Sequence, residues 1–140
     1  MNETTTKSVA RPSIRGVLET VLYFLDQDRA ERFYAEVLGM RLMDKEAGRS
    51  LFFRAGESVF LLFCAEESRE GGTLPPHGAT GAGHTCFLVD SPEYERWKAY
   101  LRSRGVPILQ EVRWPRGDSF YFHDSEGNLL ELANADLWPP

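Results

Sequence analysis

Along residues 17–24 hydrophobic and polar positions sort by a period of two. Val17, Glu19, Val21 and Tyr23 fall on one side and Leu18, Thr20, Leu22 and Phe24 on the other, which is the pattern of a strand. The period then changes. Ala30, Phe33, Tyr34, Val37 and Leu38 follow the i, i+3, i+4, i+7, i+8 spacing of an amphipathic helix. Asp26 and Asp28 supply N-cap chemistry before it, and Gly39 is placed to end it in the left-handed conformation. Further strands are predicted at 40–43, 51–54 and 59–64, with Ala55-Gly56-Glu57 as a tight turn between the last two. Residues 66–83 break this rhythm. They are charged and then rich in glycine and proline (Gly71-Gly72, Pro75-Pro76, Gly81, Gly83), the composition of a linker. Beyond them a strand is predicted at 84–89. Ser91-Pro92-Glu93 is a helix start, with serine as N-cap and proline at the first helical position. Tyr94, Trp97 and Leu101 carry the apolar stripe of that helix, and Gly105 ends it. Strands are predicted at 107–112, 119–123 and 129–133, the last two joined by a turn over 124–128.

The order strand–helix–three strands therefore occurs twice. The expected fold class is α+β, two tandem βαβββ modules whose curved mixed sheets flank a cleft. A single domain is expected over 14–134: module one at 14–65, a linker at 66–83 and module two at 84–134. Residues 1–13 are expected as a disordered lead-in and 135–140 as a C-terminal tail. Element order carries the duplication; identity between the halves is weak.

Composition narrows the function classes. At 140 residues, 42% hydrophobic, the chain has material for one core. A net charge of −5 leaves no global basic footprint, so nucleic acid is not an expected partner. No apolar stretch reaches membrane-spanning length. The polar, threonine-rich first ten residues lack the apolar region of a signal peptide, so the expected location is cytoplasmic. Cys64 and Cys86 each sit in an apolar run and read as small buried hydrophobes rather than a disulfide.

Three polar residues interrupt the strand patterns. Glu131 lies within Leu129-Leu130-Glu131-Leu132-Ala133. A buried carboxylate there needs a partner or a metal; the alternative is an edge strand with Glu131 facing water. Glu19, in an apolar strand, has the same two readings. His84 by itself reads equally as a histidine at a strand start. Together, carboxylate and imidazole donors suit zinc, manganese, iron, cobalt or nickel. In the strand before Glu131, the residues Ser119, Tyr121 and His123 share one face.

Three stretches carry a resemblance. The first runs from Glu19-Thr20-Val21-Leu22-Tyr23-Phe24 through Asp26, Arg29, Phe33-Tyr34 and Leu38-Gly39-Met40. The second is Gly83-His84-Thr85-Cys86-Phe87-Leu88-Val89. The third is Gly117-Asp118-Ser119-Phe120-Tyr121-Phe122-His123-Asp124, then Glu126-Gly127-Asn128-Leu129-Leu130-Glu131-Leu132. With these the chain resembles the vicinal oxygen chelate superfamily of glyoxalases, fosfomycin-inactivating thiol transferases, extradiol dioxygenases and bleomycin-resistance proteins. The resemblance implies one divalent metal ion (zinc, manganese, nickel, cobalt or iron) on Glu19, His84 and Glu131. Glu19 stands at a first-strand position usually held by histidine or glutamine. The fourth ligand position of glyoxalases falls near Phe60 or Leu61, both apolar, so a three-ligand site with open positions is implied. The third stretch is nearest the fosfomycin-inactivating branch, which points to Ser119 and Tyr121 as substrate-binding residues. That branch's basic residue before the serine falls on Glu111, leaving Arg113 or Arg116 as possible substitutes. His77 and His123 match no family ligand, and His77 is expected in a flexible loop.

The function so implied is a divalent-metal-dependent enzyme on a small molecule, a glyoxalase-like isomerase or lyase or a thiol transferase. Catalytic roles fall to Glu19, Glu131 and Tyr121. Ser119, Tyr121, Phe24 and Trp114 would contact substrate. The alternative is a metal-free drug-binding protein of bleomycin-resistance type, for which an acidic, aromatic cleft is suited. A ring-cleaving dioxygenase is disfavoured, because its iron normally takes two histidines and one carboxylate. A homodimer, with sites between modules of different subunits, is implied by the resemblance alone.

Overall fold

The computed structural model describes residues 10–140. Of the expected lead-in, residues 1–9 lie outside the described residues, and residues 10–18 carry no regular element. The element order is β1 (Glu19–Phe24), α1 (Gln27–Glu31), a π-helical turn (Arg32–Val37), β2 (Arg41–Glu46), β3 (Ser50–Ala55), β4 (Ser58–Cys64) and α2 (Ala65–Glu70). Then come β5 (His84–Leu88), a 3₁₀ turn (Ser91–Glu93), α3 (Tyr94–Ser103), β6 (Gln110–Trp114), β7 (Gly117–His123) and β8 (Leu129–Ala133). The strands form two four-stranded sheets of equivalent topology, β1-β4-β3-β2 and β5-β8-β7-β6. In each, the first strand pairs parallel with the last and the remaining pairs are antiparallel. The two expected βαβββ modules are thus present.

Several boundaries differ from the hydrophobic pattern, for physical reasons. Strand β1 begins at Glu19 rather than at residue 17, because pairing with β4 starts there; Val17 and Leu18 are 77% and 74% exposed. Asp26 is the N-cap of α1, its carboxylate accepting from the Arg29 N–H at 3.0 Å. The first helix does not stay regular. Leu38 N–H bonds the Phe33 carbonyl at 3.0 Å and Met40 N–H the Tyr34 carbonyl at 2.9 Å, wider than α-helical spacing. That widened turn buries the adjacent rings of Phe33 and Tyr34 together. The start of the expected linker at residue 66 falls within a short helix, Ala65–Glu70. Strand β6 is displaced to Gln110–Trp114, where it meets β7.

One face of each sheet packs under the helices. Leu22, Phe24, Phe53, Phe60 and Leu62 from the first sheet and Phe120, Phe122, Leu130 and Leu132 from the second belong to one continuous core. Phe60 meets Phe87 edge-on at 5.3 Å across the module boundary. Just before β5, Gly83 sits where a Cβ would lie 2.4 Å from Leu22 Cδ2, so a larger residue there would require the Leu22 side chain to shift.

The strongest joint is polar and centres on Asp124, which is 6% exposed. Its Oδ1 accepts from the N–H groups of Glu126 (2.7 Å) and Asn128 (2.8 Å). Its Oδ2 accepts from the Tyr34 hydroxyl (2.6 Å) and Asn128 Nδ2 (2.9 Å). Asn128 Nδ2 also donates to the Tyr23 carbonyl, and its Oδ1 accepts from Gly83 N–H. Beside it, Glu126 Oε1 accepts from the N–H groups of Leu25 and Asp26 at 2.9 and 2.7 Å, and Oε2 pairs with Arg29 at 2.6 Å. The β7–β8 turn of module two is thereby bolted to the β1–α1 corner of module one. Burial and the Asp124 carboxylate push the Tyr34 phenol well up. Burial works against ionisation of Glu126, yet the Arg29 bond and the two backbone donors hold its carboxyl below the usual range.

Two outcomes follow. Tyr34→Phe removes a hydrogen bond to a buried carboxylate and should cost about 1.5–3 kcal/mol in urea denaturation. The stabilisation from Glu126 is fully present above its unfolded-state pKa of about 4.3 and is lost as pH falls through its depressed folded value. Glu126→Gln should therefore flatten the acid limb of the urea midpoint against pH, while shifting the midpoint down at neutral pH.

Candidate metal and substrate site

The site is built on the sheet faces that point away from the helices. In β5, Thr85 and Phe87 turn towards the core side and His84, Cys86 and Leu88 towards the open face. Register places Glu131 of β8 opposite both Cys86 of β5 and Tyr121 of β7, and Ser119 opposite Ala133. Cross-strand partners share a face, so His84, Cys86, Glu131, Tyr121 and Ser119 project together from the second sheet.

His84 and Glu131 meet: Nε2 lies 3.3 Å from Oε1, with the histidine side chain 47% exposed and the carboxylate side chain 8%. The other ring nitrogen, Nδ1, is 2.9 Å from the Leu129 carbonyl. A carbonyl only accepts, so Nδ1 carries the hydrogen. In the neutral ring Nε2 then presents a lone pair to a carboxylate, and two electron-pair donors face each other. That arrangement calls for a cation, a proton or a metal, between them. The fit to a metal is good on three counts. Nitrogen and carboxylate oxygen are the donor types that divalent transition ions take. The backbone carbonyl fixes the ring orientation as outer-shell partners of metal histidines do. Bonds of about 2.0–2.2 Å at roughly tetrahedral to octahedral angles separate two donors by about 3.0–3.5 Å, which matches the observed spacing.

The Tyr121 ring stands over His84 with centroids 6.1 Å apart and planes inclined by 27°. Burial and the Glu131 charge push its phenol up, and burial followed by the same charge pushes the Cys86 thiol up to about 12. Both therefore stand protonated beside Glu131 at neutral pH. Ser119 is fully buried, its Oγ accepting from Trp114 Nε1 at 2.8 Å. Trp114, 42% exposed, is held against the same sheet by that bond.

Glu19 occupies the corresponding open face of the other sheet, in register with Val59 and, beyond it, Arg54. It is exposed and is not brought to His84 and Glu131. Among the described residues no three His, Cys, Asp or Glu side chains stand close enough to hold one ion. Phe24 is 4% exposed and packs in the core beneath the helices, on the side of β1 opposite Glu19. Arg113 and Arg116 are exposed, Arg116 bonding the Asp136 carbonyl. His77 is not in a free loop. Its Nδ1 lies 2.8 Å from the Tyr23 hydroxyl and its ring stands edge-on to Phe63 at 4.7 Å, which seats the segment after α2 on the open face of the first sheet. Sequence reasoning missed this seat because nothing local to His77 announces two aromatic partners so far away in the chain. Cys86 was read as a buried hydrophobe, but the residue is exposed beside Glu131; its place in the alternation of β5 with His84 is the signal that finds it.

Comparison with known proteins adds the following. The family model for the glyoxalase/bleomycin resistance protein/dioxygenase superfamily matches residues 16–132. A lactoylglutathione lyase of Schizosaccharomyces pombe is 32% identical over 66% of this chain, and the match spans only 38% of that protein's length. The crystal structure of a lactoylglutathione lyase from Agrobacterium tumefaciens superposes with a TM-score of 0.86 at 35% identity, covering 92% of this chain and 100% of that one. A fosfomycin resistance protein of Listeria monocytogenes, solved with manganese(II) and a dihydroxypropylphosphonic acid, shares the fold at a TM-score of 0.67 and 20% identity, over 89% of this chain and 94% of that one.

The histidine geometry is open to direct observation. Long-range ¹H–¹⁵N spectra of the neutral ring should show His84 as the Nδ1–H tautomer with a pyridine-type Nε2. An Nε2–H tautomer would mean that His84 donates directly to Glu131 and that no cation is needed between them.

Proposed function

Since this chain belongs to the glyoxalase/bleomycin resistance protein/dioxygenase superfamily, we propose that it is a divalent-metal-dependent enzyme acting on a small molecule, of lyase, isomerase or thiol-transferase type. The observation that carries the reading is the His84–Glu131 pair, two electron-pair donors 3.3 Å apart with the imidazole oriented from behind by a backbone carbonyl. Two donors fall short of the three that catalytic metals usually take from protein. We assign the third to Glu19 of a second copy. Exposed apolar groups at both edges support such an assembly: Val17 and Leu18 just before β1, and Leu88, 69% exposed, on the open face of β5.

The chain's own residues suit this chemistry as follows. A metal held by His84 and Glu131 would supply Lewis acidity to stabilise negative charge developing on a substrate oxygen. His84 is fixed by Leu129 and does not need to reorganise on binding. Glu131 is sheltered and flanked by Tyr121 and Cys86, with His84 Nε2 3.3 Å from its Oε1. Glu19 of that second copy, exposed in the single chain, would serve as general base by giving up its donor position to take a proton from substrate. Tyr121, protonated and on the same face, donates a hydrogen bond to a substrate oxygen. Trp114 presents its ring to the substrate's apolar part, and Ser119 sets the Trp114 ring through the Nε1–Oγ bond.

The lyase or isomerase branch is favoured over the phosphonate-directed transferase branch. Glu111, at the position where a basic residue would serve a phosphonate, is instead committed to Lys98 (2.9 and 3.0 Å) and Tyr94 (3.1 Å).

The test is metal content and assembly measured together. Protein loaded with zinc, manganese, nickel or iron and then dialysed should retain about one ion per chain and run as a dimer. His84→Ala and Glu131→Gln should lose the ion and remain dimeric. An equimolar mixture of Glu19→Ala and His84→Ala chains should recover a fraction of sites if the third donor comes from the other copy. Retention of no metal by the wild type under any loading defeats the enzyme reading and turns the question to metal-free drug binding.

A further inference from the structure

Register sorts the open face of the first sheet into rows about 6.6 Å apart, because side chains two residues apart along a strand leave the same side. Glu19 shares the first row with Val59, Arg54 and Arg41. Val21, Leu61 and Phe52 stand in the second, and Tyr23 and Phe63 in the third. A charged row is thus followed by an apolar one and then by an aromatic one.

The third row is covered. His77 stands edge-on to Phe63 at 4.7 Å, and its Nδ1 lies 2.8 Å from the Tyr23 hydroxyl. Two further contacts hold the covering segment. His77 N–H donates to the Ser68 carbonyl of α2 at 2.9 Å. Gly78 lies so near α2 that a Cβ there would be 2.6 Å from Arg69 Cγ and 3.2 Å from the Ala65 carbonyl oxygen. Helix α2 follows β4 without a break, so cover and sheet are one continuous stretch of chain. Leu61 is 6% exposed although it takes no part in the helix-side core, whereas Val21 and Phe52 are half-buried. His77 is itself exposed, and its ring forms the front of a wall that closes this end of the face.

Because Glu19 carries the ion in the metal-dependent reading, on which this assignment rests, the ion stands over the first row whichever way the second copy lies. Two rows separate Glu19 from Tyr23, about 13 Å along the strand. The ion and His77 occupy the two ends, which leaves one row, roughly 6.6 Å, for whatever extends from the metal-bound oxygens towards the third row. Over β1, β4 and β3 the floor of that row is Val21, Leu61 and Phe52, without a charge. We infer that His77 is a specificity-determining residue of the proposed site: it ends the path along the first sheet and limits substrates to chelating molecules with an uncharged, apolar tail of about four carbons at most.

The probes are acetohydroxamate, butanohydroxamate and octanohydroxamate, which chelate a metal through two oxygens and differ only in tail length. They are titrated by calorimetry into the metal-loaded full chain. Wild type should bind butanohydroxamate more tightly than acetohydroxamate, because the added methylenes are buried, and octanohydroxamate about tenfold or more weakly than butanohydroxamate. His77→Ala should retain the ion, keep the butanohydroxamate affinity within about twofold and bring octanohydroxamate level with it or above. His77→Phe, which keeps a ring and drops the bond to Tyr23, should keep the limit. An affinity that climbs through eight carbons in the wild type overturns the assignment. So does a limit that His77→Ala leaves unchanged, or one that His77→Phe loses as fully as His77→Ala. Wild type that holds its ion yet binds none of the three overturns it as well. Failure to hold any ion is read separately, from the metal content of the unliganded protein, and defeats the metal-dependent reading and this limit together.

Discussion

A single buried carboxylate holds the architecture together. Asp124 fills all four of its acceptor positions, two with backbone N–H groups of its own turn, one with Asn128 and one with Tyr34 of the other module. Such a group is costly to leave unsatisfied and gives little when moved. It therefore does more than add stability: it permits one relative placement of the modules. Asn128, held by Asp124, in turn positions Gly83, and the next residue is His84. The orientation of the candidate ligand histidine thus traces back through two hydrogen bonds to the joint between modules.

The same joint explains why the open sheet faces lack a shared centre within one chain. The modules contact each other through their helix-side cores, at Phe60 with Phe87 and Tyr100 with the Val37 carbonyl. The faces bearing Glu19 and His84 are left to look outward from separate sheets. A period-two strand has only two sides. Once one is taken by the core, every polar residue of the opposite parity gathers on the other. The concentration of His84, Cys86, Glu131, Tyr121 and Ser119 on one surface is a consequence of that parity.

On the second sheet Glu131 stands sheltered with His84, Cys86 and Tyr121 around it and, among the described residues, with no lysine or arginine ion-paired to it. In contrast, Lys98, 7% exposed, is neutralised by Glu95 and Glu111, so the fold does pair its charges where only stability is at stake.

Much of this was legible in the order of residues. Alternation in β1, β5 and β8 and the helical spacing of α3 announced the elements, their repetition announced two modules, and the family motifs marked Glu19, His84 and Glu131. Those signals are local, because strand parity and helix periodicity depend on neighbours two to four residues away. What depends on distant neighbours was not legible. The π-helical turn arises because Phe33 and Tyr34 must both reach one core, and Tyr34 must reach Asp124, 90 residues on. His77 is seated by Tyr23 and Phe63, and packing decided that the Phe24 face of β1, not the Glu19 face, meets the core. The tertiary structure alone decided that His84 and Glu131 meet while Glu19 stands apart, and that Arg41 and Arg54 lie abreast. Spacing along a chain fixes which side of a strand a residue takes, but only the packing of one sheet on another fixes what that side confronts.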